Sequence, residues 1–335
     1  MSLDVLREGA VIPAHPLALT EGRRLDERRQ RALTRYYLAA GAGGLAVGVH
    51  TTQFEIRRAG LLRPVLELAA EVVDAEAGRP VVKVAGACGG TAQAVAEAEL
   101  AASLGYHAVL LSPVVPGADE EDLLARAKAV GEVLPTIGFY LQPAIGGPSL
   151  SRDFWRRLAD QPSTVAVKLA PFDRYRTLEA VHGIVSSGRG QEVALYTGND
   201  DHILGDLLGE VAGRRFAGGL LGQWAVWTRA AVRLFDQVRA ARSGDTAALA
   251  SLVGSSAAVT DANAAVFDAA HGFRGCIAGV HEVLRRQGLL AGVWCLDPAE
   301  GLSEGQADEL TRVCAAYPWL TDDAFVAEHL DHWLR

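Results

Sequence analysis

The sequence predicts an α/β protein, a closed (β/α)₈ barrel of the TIM type with a C-terminal helical extension. Three observations carry this. Eight short apolar or β-branched runs each precede a segment of helical period. The runs are too uniformly apolar to leave one sheet face in water, which is the mark of a parallel sheet covered by helices. The eight units fill roughly 240 residues, the usual size of such a barrel. Beyond Ser243 the strand pattern stops. The expected boundaries are therefore 1–242 for a catalytic barrel and 243–335 for the extension.

The strand candidates, in order, are Ala10 to Leu19, Gly44 to His50, Pro80 to Gly86, His107 to Pro113, Thr136 to Pro143, Thr164 to Pro171, Glu192 to Gly198 and Phe216 to Gly222. Amphipathic segments such as "DERRQRALTRYYLAA" from Asp26 and "EEDLLARAKAVGEVL" from Glu120 read as the intervening helices. "GAGG" at Gly41 to Gly44 ends a helix and enters a strand. "VVKVAGACGGTAQAVAEAE" has the outline of a dinucleotide site, but Gly86, Gly89 and Gly90 do not form G-x-G-x-x-G, so it reads as a tight βα turn. After Ser243, "DTAALASLV", "DANAAVFDAA", "CIAGVHEVLRRQGLL", "SEGQADELTRVCAAY" and "DAFVAEHLDHWLR" read as separate helices packed on the barrel.

Composition bounds the function. Half of the 335 residues are apolar and the net charge is −8, with no basic run interleaved with aromatics, so nucleic acid is not an expected partner. No run of about 18 uncharged apolar residues predicts a membrane span. Cys88, Cys276, Cys295 and Cys314 lack C-x-x-C spacing, and no signal-peptide pattern opens the chain. Free thiols in a cytoplasmic protein, without metal or other cofactor, are the expectation.

In a barrel of this kind the strand C-termini and the loops after them share one mouth, where chemistry is placed. The second strand delivers His50, Thr51, Thr52, Gln53 and Phe54 there, and the fifth Tyr140 and Gln142. The seventh delivers Thr197, Gly198, Asn199, Asp200 and Asp201. The eighth ends near Gly219 and Gly222, with Gln223 and Trp224 beyond. His15, after the first strand, is a mouth candidate or a packing residue.

The sixth strand, "TVAVKLAP", carries Lys168 among apolar neighbours. The chain has 29 Arg and three Lys, and two of those lysines, Lys83 and Lys168, lie in apolar strands. A desolvated ammonium can give up its proton and become a nucleophile, whereas a guanidinium cannot. Lys83 sits mid-strand and is expected to pair with a carboxylate. Lys168 leads out toward the mouth and is expected to do chemistry. Lys128 lies on a polar helix face.

These residues resemble the dihydrodipicolinate synthase and N-acetylneuraminate lyase family over nearly the whole chain. The resemblance rests on Thr51-Thr52 after the second strand, on "YLQP" (Tyr140 to Pro143) ending the fifth, and on Lys168, 28 residues beyond that tyrosine. It rests too on "TGNDD" after the seventh strand and on "IPAHPLALTEGRRLD" near the start. Members are class I aldolases that form a Schiff base with a 2-oxo acid, usually pyruvate. The resemblance implies Lys168 as the Schiff-base lysine and Tyr140 as proton shuttle, with Thr51 and Thr52 holding the substrate carboxylate. It further implies a homo-oligomer, dimer or tetramer, and an aldehyde as possible second substrate.

Departures from the family pattern narrow this. In "HTTQFE", His50 and Gln53 stand where the family has glycines. Val114 and Val115 stand in place of a tyrosine pair. Ile145 falls where dihydrodipicolinate synthases carry an arginine for the second substrate's carboxylate, so the chain is not expected to be that synthase. An apolar wall of Ile145, Phe54 and Trp224, with His50, Gln53, Gln142, Gly198 and Leu221 around it, is the expected substrate pocket. Two other readings stay open. One is an altered barrel that binds or regulates without turnover; the other is a divalent-metal aldolase using Asp200, Asp201 and His202.

Overall fold

The computed structural model describes residues 3–335. The barrel runs α1 (Asp4–Glu8), β1 (Val11–Pro13), α2 (Glu27–Ala40), β2 (Gly44–Val47), α3 (Leu62–Glu76), β3 (Val82–Ala87), α4 (Thr91–Ser103) and β4 (Ala108–Leu111). It continues with α5 (Glu120–Gly131), β5 (Thr136–Leu141), α6 (Arg152–Asp160), β6 (Thr164–Ala170), α7 (Arg174–Val185), β7 (Ala194–Thr197), α8 (Ile203–Leu208), β8 (Gly218–Leu221) and α9 (Thr228–Arg242). The strands form one parallel ladder from β1 through β8 and back down to β2. Its seam closes by a bridge between Ala14 and Ala46, where the His15 amide donates to the Ala46 carbonyl at 2.8 Å.

All eight expected strands form, and the first is shorter than its apolar run. β1 ends at Pro13, and Pro16 cannot donate to a ladder, so the rest of that run becomes a loop. The helices start where side chains can cap them. Asp26 accepts from the Arg29 amide, and Asp119 and Asp122 form a reciprocal box at the start of α5.

Alternation along the strands separates two cores. Inward-facing Ile12, Ala46, Val84, Leu110, Ile137, Ala166, Ala194 and Leu220 fill the barrel. Leu45, Val47, Val109, Val167, Leu169 and Leu195 face the helices. α1 closes the N-terminal end: Leu6 joins the inner cluster, and its carbonyl accepts from the Tyr196 hydroxyl at 3.0 Å. Val82 and Val84, on either side of Lys83, face in, so the Lys83 side chain faces out, where it meets Asp74 of α3 at 2.5 Å.

The extension comprises α10 (Thr246–Phe267), α11 (Cys276–Arg286), α12 (Gln306–Ala316) and α13 (Asp323–Trp333). The first two expected helices there are one 22-residue helix that runs through Gly254, because its neighbours continue the helical hydrogen bonding. α10 packs on α8, α9, α11 and α12, and α13 packs on α2. No helix among the described residues is long and apolar enough to cross a membrane.

One buried carboxylate ties extension to barrel. The start of α9 has no capping side chain of its own, since Trp227 precedes it. Asp322, 2 % exposed, takes that role from a distance: it accepts from the amides of Arg229 (2.6 Å) and Ala230 (3.0 Å) and from the Tyr36 hydroxyl (2.8 Å). Asp322→Ala strands these donors and is expected to cost about 3 kcal/mol in urea denaturation. Asp322→Asn, which keeps an acceptor, should lose less.

Candidate active site

The strand C-termini open into a cavity lined from seven of the eight strand ends, all but β3. Ala14, Val49, Thr51, Leu110, Leu141, Lys168, Ala170, Gly198 and Gly222 contribute from strand ends and loops. Phe267, Phe273 and Cys276 come from the extension, which therefore helps build the mouth.

Lys168 occupies an inward position on β6 between Ala166 and Ala170 and is 9 % exposed. Its ammonium lies over the Phe139 ring, 4.5 Å from the centroid. Among the described residues it makes no hydrogen bond and no ion pair within 4 Å. Burial pushes its pKa below that of an ordinary lysine, and the charge of Asp200 opposes that fall. The lysine's path depends on Gly198: a Cβ there would lie 2.4 Å from Lys168 Cε and 2.8 Å from Ala170 Cβ.

Asp200 is the cavity's carboxylate, 4 % exposed. One oxygen accepts from the Gln223 amide at 2.9 Å, and the other has no protein partner among the described residues. Burial raises its pKa well above the usual carboxylate range, with the Gln223 amide and Lys168 pulling it back. The β7 loop that carries it is held by neighbouring Asn199, whose amide nitrogen donates to Thr177 (3.1 Å) and Asp206 (2.9 Å) and whose oxygen accepts from the Phe172 amide (3.1 Å). Asp206 also takes the Thr197 hydroxyl at 2.6 Å and pairs with Arg174.

The turn after β2 is a short 3₁₀ helix, His50–Thr52. Its first amides, those of His50 and Thr51, have no partner within such a helix. Thr51 lines the cavity and its hydroxyl donates to the Ala14 carbonyl at 2.8 Å. His50 lines it too, and burial together with Lys168 pushes its pKa down to about 4, so it is neutral at pH 7. Gln142 and Ile145 complete the expected set at the rim.

Several expected residues are not brought to the cavity. Thr52 turns inward on its own loop: its amide donates to Val49, and its hydroxyl accepts from Gly48 and donates to His15. Gln53 keeps the backbone that a glycine would suit, with φ 66°, and sends its side-chain oxygen to the Leu296 amide at 2.6 Å. Leu221 faces the helices, because Leu220 takes the inward position; Gly222 reaches the cavity instead. Tyr140 also faces outward, its ring 4.9 Å from Trp155, with Arg176 beside its hydroxyl.

The tyrosine's position has a specific cause. Thr136 pairs with Thr164, a spacing that would set Tyr140 opposite Lys168. The register then slips by one, so that Ile137 pairs with Ala166 and Phe139 with Lys168. Val165 is the extra residue, and a one-residue slip exchanges the two faces of a strand.

Other expectations need correction. Phe54 and Trp224 do not line the cavity; the apolar wall is Phe139, Phe172, Phe267 and Phe273 around Ile145 and Leu141. His15 is buried against α2, bonded to Thr34 (2.9 Å) and the Pro16 carbonyl (2.8 Å). Asp200 and Asp201 diverge, the first buried and the second exposed, and no three acidic, His or Cys side chains converge on a metal position among the described residues. Asp200 was visible as a strand-end residue and Phe139 was not singled out; only the register and loop geometry put them beside Lys168. Nothing in the sequence marked Phe172, Phe267, Phe273 or Cys276.

At the mouth of this (β/α)₈ barrel a lysine with no ionic partner thus faces a carboxylate and a few hydrogen-bonding groups. The chain belongs to the dihydrodipicolinate synthetase family, whose model matches residues 9–316 and whose members are class I aldolases and lyases. YagE of E. coli K12, a prophage protein of that family solved with pyruvate, has the same fold with a TM-score of 0.76 and 20 % identity, over 93 % of this chain and 98 % of YagE. Dihydrodipicolinate synthase from Oceanobacillus iheyensis gives 0.75 and 18 %, over 95 % and 99 %. N-acetylneuraminate lyase from Fusobacterium nucleatum gives 0.74 and 16 %, over 92 % and 99 %. No curated protein matches the sequence.

Two measurements test the site. Gly198→Ala displaces the lysine and should lower kcat/KM with a trapped substrate about 100-fold, as a misplacement of about 1 Å does. Competitive acetylation across pH should find Lys168 reacting at lower pH than an ordinary lysine amine. Because Asp200 holds the Lys168 pKa up, Asp200→Asn should move that midpoint lower still, not higher.

Proposed function

We propose that the protein is a Schiff-base-forming lyase or aldolase acting on a 2-oxo acid such as pyruvate, with Lys168 as nucleophile. The observation that carries this reading is the Lys168 amine: desolvated, without an ionic partner at bonding distance, and open to a cavity. A lysine retained for structure would be paired, as Lys83 is with Asp74.

The neutral amine adds to C2 of the 2-oxo acid, and loss of water leaves an iminium that draws electrons from the adjacent bond. The free amides of His50 and Thr51 are suited to the substrate carboxylate, with Thr51 alone of the expected threonine pair facing the cavity. Proton transfer, assigned to Tyr140 on resemblance, passes in this reading to Asp200, whose unbonded oxygen shares the cavity with Lys168. A carboxyl raised toward neutrality can both accept and donate. The distance of the phenol from the cavity favours one alternative, a barrel that forms the adduct but does not turn over. A cytoplasmic setting and a homo-oligomer go with the main reading, and sedimentation of the purified chain tests the latter.

Borohydride reduction in the presence of pyruvate, followed by peptide mapping, is expected to leave a stable adduct on Lys168 and none in Lys168→Ala. Asp200→Asn should still trap but lose about 100-fold or more in turnover. Absence of an adduct with every 2-oxo acid, in folded protein, would overturn the reading. An adduct with no turnover would favour the binding-protein alternative.

A further inference from the structure

We propose that the second half of the substrate is an uncharged aromatic group, so that the reaction releases or consumes an aryl aldehyde. This rests on the Schiff-base reading and adds the substrate class to it. Beyond Lys168 the cavity is walled by four phenylalanines, Phe139, Phe172, Phe267 and Phe273, and by Ile145 at the rim. It contains no other cationic side chain. A substrate with carboxylates at both ends has nothing to pair with at the outer one.

The aromatic wall is also built in advance. Phe172, from the β6 loop, and Phe273, from the extension, meet edge to face with centroids 5.7 Å apart. Both have left-handed backbones, φ 52° and 68°, which a phenylalanine seldom adopts and which surrounding structure must impose. Asn199 holds the Phe172 amide, and buried Asp268 holds the loop before α11 by accepting from the Gly275 amide (3.0 Å) and the Ser303 hydroxyl (2.5 Å). Strain kept at a cavity wall, in two separate segments that converge, marks a shaped recognition surface. His50, neutral, and Gln142 are the polar groups left for a single hydroxyl or carbonyl oxygen.

In the cleavage direction the substrate is a 4-aryl-4-hydroxy-2-oxo acid bound as the Lys168 iminium. Asp200 takes the C4 hydroxyl proton, the C3–C4 bond breaks into the iminium to give an enamine, and the C4 carbonyl leaves as aldehyde. Protonation at C3 and hydrolysis by water then return the lysine and release pyruvate. No oxidant or reductant is needed.

The test condenses pyruvate with benzaldehyde, glyoxylate and glyceraldehyde on the full chain, following carbon–carbon bond formation by mass spectrometry. Benzaldehyde is expected to exceed both others in kcat/KM by at least about tenfold. Ile145→Arg, which puts a cation at the rim, should shift the benzaldehyde-to-glyoxylate ratio toward glyoxylate by a similar factor. Preference for glyoxylate or glyceraldehyde, or condensation with no aldehyde, while borohydride still traps pyruvate on Lys168, would overturn the aromatic assignment and leave the Schiff-base reading standing. No adduct with any 2-oxo acid would take down both.

Discussion

An ammonium group that faces the interior of a parallel barrel has been taken out of water, and the strands around it offer only side chains, since their backbone groups are spent on the ladder. Lys168 is in this position, and its neighbours are arranged around the consequence. Gly198 gives up a side chain so that the lysine's methylenes can pass. Phe139 offers the face of a ring in place of a counter-ion, and Asp200 supplies charge at a distance without closing an ion pair. The amine is thus desolvated without the close carboxylate that Lys83 has in Asp74.

The loops serve this arrangement in a common way, by tying neighbouring strands to each other through buried side chains. Asn199 and Asp206 bind the β7 loop to α7 and α8 and so orient Asp200 and Phe172. Gln53 accepts an unusual backbone angle and connects the β2 loop to the extension at Leu296. Asp322 ties the segment before α13 to α9 and α2, and Asp268 holds the turn that carries Phe273. The extension is consequently part of the site's architecture, completing a mouth that the barrel alone would leave open to solvent.

Eight strands, their order and the interior lysine were legible from the sequence, because burial on both faces demands long apolar runs and because a lysine in such a run is conspicuous when almost every other cation is arginine. The turn carrying His50 and Thr51 and the rim residues Gln142 and Ile145 were legible for the same reason: strand ends can be counted. Which of two adjacent residues faces inward was not legible. Phe139 and Tyr140 differ by one position, and the register slip at Val165 exchanges their faces. A spacing of 28 residues between Tyr140 and Lys168 looks the same whether or not a strand contains a bulge. The choice of Asp200 over Asp201, and the gathering of phenylalanines from β5, the β6 loop, the end of α10 and the turn before α11, likewise belong to tertiary structure. They depend on packing between segments up to 130 residues apart or more, for example Phe139 and Phe273, which no local pattern records.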